Sequence, residues 1–168
     1  MKRLLADTGP LLHLHEAGSL SLLPLLGTVI VPPLVLVELS VHAPALWPGS
    51  LPDWLKVEPL LPMAQQRAQA WQQAGLLHGG EAEAVALALD CKPDWFLTDD
   101  AAARLMAESL GVEAHGSLGV LLWAAGQKLV GKKAAEAALT ALESSSLWMS
   151  FRVRAQARAA LAQIFATS

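Results

Sequence analysis

In the stretch FLTDD, residues 96–100, two apolar residues and a threonine are followed by two adjacent carboxylates, Asp99 and Asp100. The stretch RLLAD, residues 3–7, likewise ends a short apolar run on Asp7. Short apolar runs of this kind, bounded by turn residues, are typical of buried strands. Ligands in an open parallel α/β sheet bind outside the carboxyl ends of the strands. We therefore expect these carboxylates to lie together at one edge of a sheet.

Strand and helix patterns alternate along the whole chain. The helical patterns separate apolar or β-branched runs that predict strands at 2–7, 28–31, 54–60, 94–99 and 112–116. Such alternation implies a parallel sheet covered by helices on both faces, with right-handed crossovers. We predict an α/β fold with three layers, α/β/α, and a central parallel sheet of about four to five strands. Pro59 predicts an edge position for the third strand, because proline cannot donate to a sheet ladder.

Local signals refine three of the predicted helices. In PPLVLVELSVHA, residues 32–43, the two prolines can only begin a helix, and its apolar residues predict an inner side formed by Leu34, Val37, Leu39 and Val41. Gly111 predicts the end of the helix that follows Asp100. Ser117 is predicted to be the N-cap of the helix that follows the strand at 112–116.

The length and charge of the chain favour one domain with a distinct tail. A chain of 168 residues is long enough for one sizeable core. We predict a first part, residues 1–130, and a helical C-terminal extension, residues 131–168, packed on the same domain. Six of the twelve Lys and Arg residues lie after residue 127, against two of the fifteen Asp and Glu residues. An acidic body with a basic tail could bind metal in one part and contact phosphates with the other, although a solvated helix face is the plainer explanation.

Composition excludes several classes of protein. The net charge of −3 argues against indiscriminate binding of nucleic acid by a polycation. No apolar run reaches the length of about 18 residues that spans a bilayer, so no membrane association is expected. The single cysteine, Cys91, cannot form an internal disulfide and fits a reducing cytoplasm, where we expect the protein to be located.

Further carboxylates are placed where the predicted fold would gather them. Glu38 lies within the apolar run LVLVELSV, where a charge is unfavourable unless it is paired or bound to a metal. Glu81 and Glu83 follow HGG in the first turn of a helix, where the helix dipole alone could explain them. Asp7 and the Asp99/Asp100 pair could be N-caps. No set of Lys or Arg partners is evident. Like charges that converge need a cation, and oxygen ligands suit Mg²⁺ or Mn²⁺.

Four motifs together resemble the PIN-domain nucleases, in the order and spacing expected of that family. They are LLADTGPLLHL at 4–14, VIVPPLVLVEL at 29–39, GGEAEAVALAL at 79–89, and FLTDDAAARLMAESLG at 96–111 with GSLGVLL at 116–122. The match is strongest to the VapC-like branch with GEAEA and DD-x-x-AR motifs, and it covers roughly residues 3–125. The resemblance implies an endoribonuclease whose acidic cluster binds one or two Mg²⁺ or Mn²⁺ ions and whose products carry a 5′-phosphate and a 3′-hydroxyl.

Residue by residue, the resemblance implies a set of catalytic acids and metal ligands. Glu81 is favoured over Glu83, because it sets Ala84 and Ala88 against the sheet; both stay candidates, since related flap endonucleases use both acids of such a stretch. The choice between Asp99 and Asp100 stays open. The implied catalytic residues are Asp7, Glu38, Glu81, Asp99 and Asp100, and the implied metal ligands are these five and Glu83. Thr8 is expected to hydrogen-bond a ligand carboxylate or a phosphate, and Arg104 to pair with Asp100 or contact a phosphate.

The resemblance also implies partners. VapC-like nucleases commonly act as toxins held inactive by a small antitoxin protein, so we expect an RNA substrate, a possible antitoxin and a homodimer. Trp123 and Trp148 are candidates for an apolar contact with such a partner. The alternative function is a PIN-like scaffold that binds RNA or a partner without cutting. The five histidines are scattered in the sequence, and we expect surface or capping positions for them rather than a general base.

Overall fold

A computed structural model describes residues 1–166 of the protein. Within this range the chain forms one five-stranded sheet, in which every neighbouring pair is parallel. The strand order is β3-β2-β1-β4-β5. The strands are β1 (Lys2–Ala6), β2 (Gly27–Val31), β3 (Leu55–Val57), β4 (Trp95–Leu97) and β5 (Ala114–His115).

Nine helices in the described chain connect and extend these strands. Three come early: α1 (Thr8–Glu16), α2 (Leu22–Leu26) and α3 (Pro33–His42). Three surround β4: α4 (Pro62–Gln73), α5 (Gly79–Cys91) and α6 (Ala101–Ser109). The last three follow β5: α7 (Ser117–Gly126), α8 (Lys132–Glu143) and α9 (Phe151–Ala166). The predicted three-layer α/β/α architecture is confirmed.

The sheet separates two hydrophobic cores because successive strand residues point to opposite faces. In β1, Leu4 and Ala6 face one core while Leu5 faces the other. The first core contains buried residues from α1, α2, α3, α7, α8 and α9, and the second contains those from α4, α5 and α6. Strand residues are therefore buried whichever face they point to, as are Ile30 and Phe96 in the second core. This is why these strands do not alternate apolar with polar residues.

The boundaries of most elements agree with the sequence patterns. The third strand lies at the edge of the sheet, as Pro59 predicts. Gly111 has a φ of +80°, a left-handed conformation suited to the end of a helix. The predicted extension packs through Ala135, Leu139 and Leu161 into the first core. The division at residue 130 stays a prediction, and Thr167 and Ser168 lie outside the described residues.

Two local predictions are wrong. The inner side of α3 is formed by Val35 and Leu39, whereas Val37 and Val41 are exposed. The helix is apolar on nearly all sides, so periodicity could not distinguish its faces. Ser117 is the first helical residue rather than the N-cap, which is Gly116.

Within residues 1–166, no helix combines the length and the hydropathy that crossing a bilayer requires.

Candidate metal-dependent active site

The topology of the sheet opens a crevice between β1 and β4. After β1 the chain adds β2 and β3 on one side, and after α5 it returns to add β4 and β5 on the other. The connections that leave β1 and β4 therefore diverge, and such switch points are where α/β sheets bind ligands. Asp7 directly follows β1, and Asp99 and Asp100 follow β4 by two and three residues.

Asp7 is the buried floor of this crevice, with 1% of its surface exposed. The register pairs Ala6 with Leu97, which brings the next residues, Asp7 and Thr98, side by side. The Thr98 hydroxyl donates to Asp7 Oδ2, and the Gly9 amide donates to Asp7 Oδ1 over 3.1 Å. The carboxylate thus also caps α1, and it is held in one orientation from both sides.

Glu38 reaches the crevice from α3 and is held by two neighbouring segments. The Thr8 hydroxyl donates to Glu38 Oε2, and the Gly80 amide donates to Glu38 Oε1 over 2.7 Å. Glycine is required at this contact, since a Cβ on Gly80 would lie 2.5 Å from Glu38 Oε2 and one on Gly79 would lie 2.6 Å from Oε1. The GG pair that begins α5 therefore makes room for a carboxylate.

The structure distinguishes Glu81 from Glu83. Glu81 lines the same cavity as Asp7, and its Oε2 accepts from the His78 amide over 3.3 Å. Glu83 lines a different groove, between α4 and the start of α3. Side chains two positions apart on a helix point in different directions, so the two acids face different grooves here. Glu83, predicted among the metal ligands, does not line the cavity, but burial and the nearby charge of Glu38 raise its pKa, and its role as a ligand stays a prediction.

Asp99 accepts two hydrogen bonds from Ser117 and lies against a histidine. The Ser117 amide donates to Oδ1 over 2.7 Å, and the Ser117 hydroxyl to Oδ2 over 2.6 Å. His13 Nδ1 lies 2.7 Å from Oδ2. A Cβ on Gly116 would lie 2.5 Å from Asp99 Oδ1, so the start of α7 approaches this carboxylate only because residue 116 is glycine.

Asp100 and Arg104 have mainly structural contacts. Asp100 is the N-cap of α6, because its Oδ1 accepts from the Ala103 amide over 2.8 Å. Arg104 donates to the carbonyls of Thr98, over 3.1 Å, and Ala114, over 2.9 Å. Its only ion pair in the described chain is with Glu108, at 3.9 Å, so the predicted pairing with Asp100 is not formed. The guanidinium instead ties the end of β4 to β5.

The carboxylates share one cavity of about 350 Å³. No Lys or Arg is among its described lining residues; two histidines, His13 and His78, are the only basic side chains. The lining consists of Asp7, Thr8, Gly9, His13, Glu38, His78, Glu81, Asp99, Asp100, Leu147 and Trp148. Leu147 and Trp148 come from the connection between α8 and α9. Five acidic residues from four segments of the chain therefore converge on one space.

Burial and mutual repulsion disfavour the negative charges of this cluster. Burial raises the pKa of Asp7 well above its ordinary value, and the nearby Asp99 and Glu81 raise it further, although hydrogen bonds from Thr98 and Gly9 act in the opposite direction. Burial likewise raises the pKa of Glu81, with a further contribution from Asp100 and Glu38. A bound cation would relieve both effects.

The sequence profile of the PIN domain family matches residues 3–163. The chain belongs to the PIN domain family. A comparison with curated proteins finds no significant match. The PIN fold is in general a nuclease fold, and membership of the family therefore supports nuclease activity for this chain. The match extends through α8 and most of α9, well beyond residue 125, where the resemblance of the sequence motifs ends.

The donor set of this PIN domain fits a hard divalent cation. The five acids offer only oxygen, which Mg²⁺ and Mn²⁺ prefer. A carboxylate oxygen that accepts one hydrogen bond keeps a second lone pair for a metal. No three His, Cys, Asp or Glu side chains of residues 1–166 already stand as a complete metal site. The acids are thus gathered in one cavity, and a cation would draw them closer together.

Several residues that contact the acids or line the cavity of the PIN site could not be assigned these places from the sequence. Thr98 stood inside the quoted FLTDD stretch, but its hydroxyl could be assigned only after the register of β1 and β4 was known. His13 was expected at the surface or in a cap, yet it lies in the cavity against Asp99. The helical spacing did contain a signal for this position. His13 lies four residues after Gly9, so both residues lie on the same face of α1, and both line the cavity. Ser117 was predicted only as an N-cap, and Trp148 only as a candidate for an apolar contact with a partner.

Proposed function

We propose that this PIN domain is a metal-dependent endoribonuclease that hydrolyses RNA phosphodiester bonds. One observation carries the proposal: Asp7, Glu38, Glu81, Asp99 and Asp100 line a single cavity at the switch point of the sheet, with no Lys or Arg among the described lining residues. A structural ion-pair network would pair these charges with cations of the chain. An acidic cluster without such partners is suited to a divalent metal ion.

Hydrogen bonds from the chain orient three of the acids, although no three acidic side chains of the described residues already form a complete metal site. Asp7 is held by Thr98 and Gly9, and Glu38 by Thr8 and Gly80. Asp99 is held by Ser117 and His13. Ligands fixed in this way lose little conformational entropy on binding, which favours both metal affinity and a defined orientation of the substrate phosphate.

Asp7, Glu38, Glu81 and Asp99 would hold Mg²⁺ or Mn²⁺, with Asp100 at the rim as a further ligand. A bound ion of this kind lowers the pKa of water and stabilises the negative charge that develops on a phosphodiester. The chain's own contribution is to keep Lys and Arg away from the described lining of the cavity and to orient the carboxylates through hydrogen bonds. The resemblance to PIN nucleases supports products with a 5′-phosphate and a 3′-hydroxyl.

Cleavage of RNA by the purified protein tests this function. Unstructured and structured RNAs are incubated with Mn²⁺, with Mg²⁺ or with EDTA, and single-stranded DNA of the same sequence serves as a substrate control. We expect metal-dependent cleavage of RNA that Asp7→Asn abolishes. If the wild type and Asp7→Asn preparations behave alike under every condition, the protein is a non-catalytic scaffold and the nuclease proposal is wrong.

In the cell, we propose that the protein acts in the cytoplasm as the toxin of a toxin–antitoxin pair. A small antitoxin would inhibit it by placing a cationic side chain in the acidic cavity, because neither Lys nor Arg is among the lining residues that the structure describes. Expression of the chain alone should arrest growth, and Asp7→Asn should relieve the arrest. Normal growth with an active nuclease would point to a different cellular role.

A homodimer is proposed on the exposed apolar side chains of α3. Val37 and Val41 are 57% and 72% exposed and lie four residues apart on one face of the helix. Their burial against a second copy would explain why a surface helix is apolar on both sides. Light scattering of wild type and of a Val37→Lys, Val41→Lys variant tests this, since the double variant should be monomeric. An unchanged mass for the variant would refute this interface.

A further inference from the structure

The connection between α8 and α9 places an exposed tryptophan at the rim of the acidic cavity. Trp148 lines the cavity together with Leu147, yet 83% of its surface is accessible. Large aromatic side chains dominate cores and interfaces, so one that is left in solvent beside an active site needs an explanation.

The segment on both sides of Trp148 is anchored. Leu147 packs partly buried against the first core, and Met149 is buried. The Ser146 amide donates to Glu16 Oε2 of α1 over 2.7 Å, and its hydroxyl contacts both oxygens of the same carboxylate. Residues 147 and 149 thus point inward and residue 148 points outward, so the fold holds the indole in solvent at a fixed place.

The surroundings favour a nucleotide over an apolar protein surface. The indole adjoins the acidic cavity, for which a cation and a phosphodiester are proposed, and Arg152 follows four residues later in the chain as the second residue of α9. Arg152 is exposed, and no carboxylate of residues 1–166 forms an ion pair with it. Aromatic faces beside free cations are the usual elements of single-strand binding, where each base stacks on a ring and the backbone meets positive charge.

We infer that Trp148 is a substrate-binding residue whose indole stacks on an unpaired base next to the phosphate held in the acidic cavity. This inference rests on the proposed nuclease function and makes its substrate more specific. A base can reach the indole only when it is unstacked from its neighbours and unpaired, so the preferred substrate is single-stranded or looped RNA. A regular duplex of the same sequence cannot present such a base.

Binding of a labelled single-stranded RNA of about ten nucleotides measures the stacking. Fluorescence anisotropy is recorded with Ca²⁺ in place of Mn²⁺, and the intact length of the RNA is checked on a gel. Trp148→Ala should weaken binding about 5- to 150-fold, which corresponds to the loss of one stacked base. Trp148→Phe, which keeps an aromatic face, should recover most of the affinity. Phe151→Ala is the matched control, because Phe151 is 87% exposed but does not line the cavity.

Abasic substitution in the RNA separates stacking from an indirect effect. One abasic position, moved along the strand, should weaken wild-type binding as much as Trp148→Ala does, and the variant should be insensitive to the same change. The inference is wrong if Trp148→Ala binds like the wild type, if the abasic penalty persists in the variant, if duplex RNA binds equally well, or if no RNA binds. Loss of antitoxin binding with unchanged RNA affinity would assign the indole to a protein interface instead.

The two proposals can fail separately. Cleavage that depends on Mn²⁺ and Asp7 but has the same KM in wild type and Trp148→Ala refutes only the stacking inference. RNA binding that depends on Trp148 without any cleavage refutes only the nuclease proposal.

Discussion

At the scale of single residues, Asp7 is held in a place that disfavours its charge. Burial, with the neighbouring Asp99 and Glu81, raises its pKa above the ordinary value of 3.8. The folded state therefore binds this proton more tightly than the unfolded chain, and the residue destabilises the metal-free protein increasingly as the pH rises above about 3.8. The same electrostatics favour a bound cation, so the position trades stability for function.

We predict that Asp7→Asn stabilises the metal-free protein. Its melting temperature should exceed that of the wild type by about 2–4 °C for each kcal/mol of relieved destabilisation. The difference should grow from pH 4 toward neutral pH, because only the wild type carries a charge there. Scanning calorimetry in EDTA measures it. Mn²⁺ should raise the melting temperature of the wild type far more than that of the variant, and the opposite ranking would contradict a metal site at Asp7.

Ser117 acts through Asp99 and offers a second test at this scale. Ser117→Ala removes the hydroxyl bond to Asp99 Oδ2 and keeps the backbone bond to Oδ1. Loss of a group that orients a metal ligand typically lowers metal affinity about 10- to 100-fold. We expect the Mn²⁺ concentration for half-maximal cleavage to rise by that factor, with much of the rate recovered at saturating metal. Ser109→Ala, which removes an exposed hydroxyl bond on α6, is the control and should leave the metal titration unchanged.

At the scale of elements, the start of α5 and the face of α3 meet at a point where any side chain larger than that of glycine would displace the carboxylate of Glu38. We predict that Gly80→Ala preserves the helix, since alanine is the better helix former, but displaces Glu38 from the Thr8 hydroxyl and the Gly80 amide. Cleavage should fall at least about tenfold while circular dichroism stays unchanged.

Gly126→Ala is the matched control for this substitution. A Cβ at the end of α7 would meet no atom within 4 Å, so neither activity nor structure should change. Equal losses of activity in both variants would mean that the effect comes from the backbone rather than from the contact with Glu38.

At the scale of the whole molecule, the C-terminal helices belong to the core that supports the site. Leu139 of α8 is buried in the same cluster as Leu11 of α1 and Val120 of α7. We predict that Leu139→Ala lowers the free energy of unfolding by about 2–5 kcal/mol. Urea denaturation followed by circular dichroism and by tryptophan fluorescence should give coincident transitions, because the helices unfold together with the sheet.

Leu105→Ala serves as the surface control, since Leu105 of α6 is 70% exposed; its effect should stay within about 0.5 kcal/mol. Two separate transitions in the Leu139→Ala variant would instead show that residues 131–168 fold independently of the rest.

The alternation of apolar runs and helical patterns was enough to predict the three layers and the parallel sheet, because each rests on local spacing that the chain carries in every conformation. The same holds for the edge position of β3 and for the helix end at Gly111. The faces of α3 could not be predicted, since valine and leucine occur on all its sides and burial depends on which neighbours arrive.

By itself the sequence determined which acids are available and at which strand or helix ends they lie, because these positions follow from the period of each element. The structure settled which of them meet. The register of β1 and β4 sets Thr98 beside Asp7, the rotation of α5 turns Glu81 inward and Glu83 away, and the packing of α8 and α9 brings Trp148 to the cavity. These contacts join residues far apart in the chain, and their geometry is fixed by how sheet and helices pack together, which no local pattern encodes.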